Sequence, residues 1–136
     1  MGKYGTTALI ATKLFQDGKV SSPNEAWELA TAEIFPNSKS SQKKGCPKGA
    51  YLGLCEEGVI VGVPRGNYCR SQKNKGYALQ AVSLLMQSPN RSPSEESLWR
   101  LVMEGVEKVS NHQMDVVLSL WHGGLIRGAL PYQCTS

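Results

Sequence analysis

The chain lacks most of the features that announce a function. Its 136 residues include two phenylalanines, two histidines and 7% aromatic residues. No run approaches the ~20 apolar residues that cross a bilayer, so no membrane partner is expected. The four cysteines, at 46, 55, 69 and 134, are too few and too scattered for a disulfide-stapled scaffold. They also lack the close Cys/His pairing of a zinc site, so no metal or cofactor is expected. Gly53 and Gly58 have the spacing of a phosphate loop, but Val59-Ile60 stands where lysine and serine or threonine are required. Helix-turn-helix, RRM and KH signatures are missing as well.

What remains is an ordinary globular composition, 40% hydrophobic and 19% charged, long enough for one domain over residues 1–136 with a core of its own. Lys13 interrupts the only signal-like stretch near the N-terminus, so a secretory leader is not expected. A reduced, cytoplasmic protein is the simplest setting for these thiols. Met1-Gly2 with Thr6 fits the myristoylation pattern only loosely, and Cys134, third from the end, misses the prenylation position. Asn90-Arg91-Ser92 is a glycosylation triplet without a secretory context.

Apolar spacing predicts a mainly α fold of five to six helices. Residues 4–17 place Tyr4, Ala8, Ala11, Leu14 and Phe15 on one face, with Gly18 as the stop. Ser22-Pro23-Asn24-Glu25 is a capping box that opens a second helix, carrying Trp27, Ala30 and Ile34 and ending at Pro36. The polar stretch 37–45 reads as a mobile loop. Pro47 then opens a helix over 47–57, stopped by Gly58; a hairpin over the same region is the rival reading. Gly49 and Gly53, four residues apart, would let another backbone approach closely. Val59 to Val63 suits one short β segment. Asn74 reads as the cap of a helix to Gln87, and Ser92-Pro93-Ser94-Glu95 repeats the capping box and opens a long helix to about Val109, with Leu98, Leu101, Val102, Val106 and Val109 as its stripe. Asn111 caps a last helix over 112–122, stopped by Gly123-Gly124. The tail from Leu125 is partly apolar and suited to packing back on the body.

The irregular centre, Gly45 to Tyr77, holds three of the four cysteines and seven of the fourteen glycines. It lies within a basic patch. Residues 38–76 carry Lys39, Lys43, Lys44, Lys48, Arg65, Arg70, Lys73 and Lys75 against only Glu56 and Glu57, a local charge of +6 in a chain of net charge +4. Two predicted helix N-termini fall inside it and offer free N–H groups to an anion. Tyr51, Tyr68 and Tyr77 interleave with the cations, as aromatic residues do on surfaces that stack bases.

Two other constellations carry chemistry in principle. Cys46, at a predicted helix N-terminus among Lys43, Lys44 and Lys48, has the setting that stabilises a thiolate, and His112 or His122 could serve as its base. His112, Asp115, Ser119 and His122 lie on one face of the last helix. Side chains side by side on one face do not aim at each other around a substrate, so a solvated face is the expectation there, not a triad.

At GCPKGAYLGLCEEG the sequence resembles a family of small, uncharacterised bacterial domains. The resemblance rests on CPKGAYLGLCEEGVIVGVPRGNY, with weaker similarity in the Tyr77 helix. It implies a bacterial, cytoplasmic setting and brings no activity with it. The residues themselves favour a non-enzymatic binding module that contacts nucleic acid, a nucleotide or an acidic protein. Its contacts would be Lys43, Lys44, Lys48, Arg65, Arg70, Lys73, Lys75, Tyr51 and Tyr68. The alternatives are an enzyme with Cys46 as nucleophile, or a self-associating protein, such as a homodimer, using the Gly49/Gly53 face or the apolar tail.

Overall fold

The computed structural model describes residues 2–127. It is mainly α, with helices α1 (Lys3–Gln16), α2 (Pro23–Ile34), α3 (Lys39–Gln42), α4 (Gly45–Glu56), α5 (Gln72–Gln87), α6 (Glu95–Met103) and α7 (Gln113–His122). All but α3 have nine residues or more.

Local chemistry sets most of the boundaries. Ser22, Ser38, Ser71 and Ser94 each accept a backbone N–H three residues on, capping α2, α3, α5 and α6. At the other end, α1, α4 and α7 stop in the same way. Gly18, Gly58 and Gly124 all take a φ of +73°, and the next residue's N–H reaches back to the helix, as from Lys19 to Leu14 O at 3.0 Å. Only glycine adopts that left-handed turn without strain.

Helix α1 packs on α2 and α7, and α4 packs on α5 and α7. One continuous core runs through all the helices except α3. At its centre Trp27 stacks on Tyr51, ring centroids 5.1 Å apart. Gly49 and Gly53 do allow a close approach, and the helix that takes it is α5. A Cβ on Gly53 would lie 2.7 Å from the Lys75 Cα, and one on Gly49 would lie 2.9 Å from the Asn74 Cβ. Helix α5 of the same chain therefore takes the close approach that this pair of glycines permits.

Several expectations are corrected. The rival hairpin is absent: α4 is a helix, and the 59–63 segment makes a single antiparallel bridge, Ile60 to Ile126, flanked by Val61 N–H to Leu125 O at 2.8 Å. The start of the tail thus packs on the body; the rest of it, with Cys134, lies outside the described residues. The 37–45 stretch contains the short α3, because Ser38 supplies a cap. Helix α4 opens at Gly45, so Cys46 lies within its first turn. Ser71, not Asn74, caps α5; Asn74 is buried and accepts from Gln113 Nε2 at 3.0 Å. The helix predicted to open on the Ser92-Pro93-Ser94-Glu95 box and reach Val109 is capped two residues later, by Ser94, and ends at Met103. Glu104 and Gly105 turn left-handed (φ 49° and 88°), and Trp99 Nε1 donates to Lys108 O at 2.7 Å, folding the chain back. Leu101, Val106 and Val109 of the expected stripe are exposed. His112, with φ 71°, precedes α7 in place of an Asn111 cap.

Candidate anion-binding site

The structure disperses the basic centre into separate environments. Lys75 is not a free cation. Its ammonium sits 2.6 Å from Glu56 and 2.7 Å from Glu57, and the hydrogen bonds to those carboxylates raise its pKa. Tyr51 is fully buried: its hydroxyl shares a hydrogen bond with Thr12 at 2.9 Å, and desolvation raises its pKa well above the ordinary phenol value. It cannot stack a base. Arg65 lies over Gly58 on the Glu57 side, Lys43 and Lys44 lie in the turn between α3 and α4, and Lys73 faces Lys108.

Three of the expected residues do come together. Lys48, Tyr68 and Arg70 line one concavity of about 260 Å³ with Asn24, Gly45, Gly49, Leu52 and Ser71. The walls are α2, the first half of α4 and the segment that leads into α5. No side chain caps the first turn of α4. Among the described residues neither Lys48 nor Arg70 takes part in an ion pair, so both charges remain available to a ligand.

Glu56 holds the wall that carries Arg70. Its Oε1 accepts the N–H groups of Tyr68 at 2.9 Å and Cys69 at 2.8 Å, while Oε2 pairs with Lys75. The Lys75 hydrogen bond and then the Cys69 N–H lower its pKa to about 2. Asn24 Nδ2 donates to Tyr68 O at 3.1 Å from α2, the Tyr68 hydroxyl donates to Pro64 O at 2.9 Å, and the Cys69 thiol donates to Ser71 O at 3.3 Å. Leading into α5, the chain is thus tied at successive residues on either side of Arg70. Sequence reasoning missed Asn24, which reads there as part of the Ser22-Pro23-Asn24-Glu25 capping box, and Ser71, whose place Asn74 took as the expected cap.

The thiols divide by burial. Cys55 and Cys69 are buried and Cys46 is half-buried, and all three are free. Burial pushes the Cys55 pKa to about 12. The Cys46 sulfur accepts from Asn111 Nδ2 at 3.6 Å. Neither histidine joins it. His112 packs on the Tyr4 ring, centroids 4.8 Å apart, and His122 is exposed.

The polar line on α7 is not a solvated face. Asp115 and Ser119 are buried. Asp115 Oδ1 accepts the Gly2 N–H at 3.0 Å and Oδ2 the Gly5 N–H at 2.8 Å, which makes this carboxylate the cap of α1. Its role is to join the two ends of the fold, and it leaves no triad geometry.

Among the described residues no group of three or more His, Cys, Asp or Glu is placed to hold a metal, and no helix is long and apolar enough to cross a membrane. No curated protein and no solved structure matches the chain. The model of one family does match, over residues 1–127, and it covers the α4 motif, the concavity and the α7 cap alike. The chain belongs to that family, DUF6979, a family of unknown function.

Proposed function

We propose that the protein is a non-enzymatic binding module that takes a small anionic group into the concavity between α2, α4 and the segment before α5. Lys48 and Arg70 are its cations, and the uncapped first turn of α4 adds N–H donors. The observation that carries this reading is the convergence of two cations without ion-pair partners on an open helix N-terminus, in a wall fixed by Glu56. A volume of about 260 Å³ suits a phosphate or carboxylate with a short attachment, such as part of a nucleotide. The burial of Tyr51 counts against a surface that stacks successive bases. The setting that goes with this reading is a bacterial cytoplasm, in keeping with three free thiols.

The test is an amide NMR titration with a mononucleotide and a short duplex DNA, each at low and moderate salt. Salt-sensitive shifts at Gly45, Lys48, Arg70 and Ser71, lost in a Lys48→Ala/Arg70→Ala variant, support the site. Binding that is indifferent to salt and to that variant overturns it.

A further inference from the structure

A second pair of cations, Lys73 and Lys108, lies near Cys46. The Lys108 carbonyl is held by Trp99 Nε1 at 2.7 Å. Its ammonium lies 5.4 Å from the centre of the Tyr77 ring and donates to the Tyr77 hydroxyl at 3.1 Å. Tyr77 is itself set edge-on against Trp99, centroids 5.3 Å apart at 79°. Lys73, in the first turn of α5, lies one helical turn before Tyr77 and so shares the face on which the Lys108 ammonium rests. Two exposed lysines ordinarily splay apart, because ammonium groups at ~4 Å repel by about 1 kcal/mol in water and more beside a protein surface. Here the Trp99 and Tyr77 contacts fix one of the two and bring them together. Among the described residues neither lysine is in an ion pair with a carboxylate, the adjacent Glu107 included.

The electrostatics show what the pair lacks. Contact with Lys108 and then its charge lower the Lys73 pKa, while the hydrogen bonds with Lys73 and Tyr77 raise that of Lys108. An anion between the two ammonium groups would offset their mutual repulsion.

We infer that Lys73 and Lys108, with the Tyr77 hydroxyl and the Asn111 amide, form a second oxyanion site beside Cys46 that takes a dianionic phosphoryl group, as inorganic phosphate or a phosphate monoester. The Tyr77 oxygen accepts from Lys108, which leaves its O–H as a donor for a ligand. Asn111 spends one N–H on the Cys46 sulfur and has a second to give. Phosphate monoesters carry close to two negative charges at neutral pH, which matches two ammonium groups, whereas a phosphodiester carries one.

Cys46 supplies the readout. Its alkylation by a neutral reagent, iodoacetamide, is followed by peptide mapping at constant ionic strength in the Lys48→Ala/Arg70→Ala background. That background removes the first site, so failure of one site is not mistaken for failure of the other. Inorganic phosphate and a nucleoside 5′-monophosphate should each slow labelling of Cys46 several-fold and shift the amides of Lys73, Tyr77, Lys108 and Asn111. A phosphodiester dinucleotide or chloride should do neither. Lys73→Gln/Lys108→Gln, two exposed positions, should melt as the parent does and lose the response. An unchanged labelling rate with phosphate, an equal effect of chloride, a response to the diester alone, or a response that survives the double glutamine variant would each overturn the inference.

Discussion

Asp115 on the last helix accepts the backbone N–H of Gly5 in the first turn of α1 at 2.8 Å, across 110 residues of sequence. Its other oxygen takes the Gly2 N–H at 3.0 Å. A buried carboxylate is costly unless charge or hydrogen bonds compensate, and here helix N–H donors and the positive end of the helix do both. Asp115→Asn keeps the volume but turns an N–H group towards an N–H group, and Asp115→Ala leaves the donors bare. We expect losses of roughly 1–2 and 2–3 kcal/mol respectively, read from urea unfolding.

The glycines give a graded prediction. A Cβ on Gly5 would land on the Ser119 hydroxyl, and one on Gly53 would lie 2.7 Å from the Lys75 Cα, which is backbone and cannot swing aside. Gly5→Ala and Gly53→Ala should each cost about 1–3 kcal/mol. A Cβ on Gly76, also within α5, meets nothing within 4 Å. Gly76→Ala should therefore stabilise, by roughly 0.5–1 kcal/mol. Thermal melts of the three variants check the order, and a destabilised Gly76→Ala would show that α5 is packed differently.

The contrast between those glycines also marks what the sequence reveals. Serine caps and glycine stops act within a few residues, so the ends at Gly18, Gly58 and Gly123-Gly124 are legible from local pattern. The spacing of Gly49 and Gly53 signals a close approach but does not say that α5 makes it. Other features depend on distant partners. Val106 and Val109 prolong the helical period of α6, yet Trp99 reaches over to Lys108 and the chain turns at Glu104. Asp115 and Ser119 read as polar surface because their partners lie at the far end of the chain. In the basic centre a count of charges overstates what a ligand would meet. Lys75 is neutralised by Glu56, 19 residues earlier, and Tyr51 is taken into the core. Lys48, Tyr68 and Arg70 are legible members of the candidate site; Asn24 and Ser71 emerge only once α2 and α4 are packed.

Thiol chemistry should follow burial. Cys55 is inaccessible and its pKa stands at about 12, and burial also raises that of Cys69. Half-buried Cys46 is the one thiol among the described residues with access to solvent. Native labelling with iodoacetamide, mapped by mass spectrometry, should modify Cys46 and spare Cys55 and Cys69 until denaturant is added. Early modification of Cys55 would mean that α4 opens locally well below the global unfolding free energy.

Acid should loosen the candidate site through Glu56. Its pKa is lowered to about 2 from 4.5, chiefly by Lys75 and the Cys69 N–H, so the folded state binds its proton less readily than the unfolded chain does. The stabilisation is therefore fully present above pH 4.5 and is lost as pH falls towards 2. Glu56→Gln removes the linkage. At pH 6 the variant should be roughly 2 kcal/mol less stable than the parent, and the gap should narrow at pH 3. The same carboxylate anchors Tyr68 and Cys69 beside Arg70, so the variant should also bind anions several-fold more weakly at pH 6, where it is still folded. Urea midpoints at the two pH values test the first effect and phosphate titration at pH 6 the second. A variant that loses stability but keeps its anion affinity would show that Arg70 holds its place without Glu56.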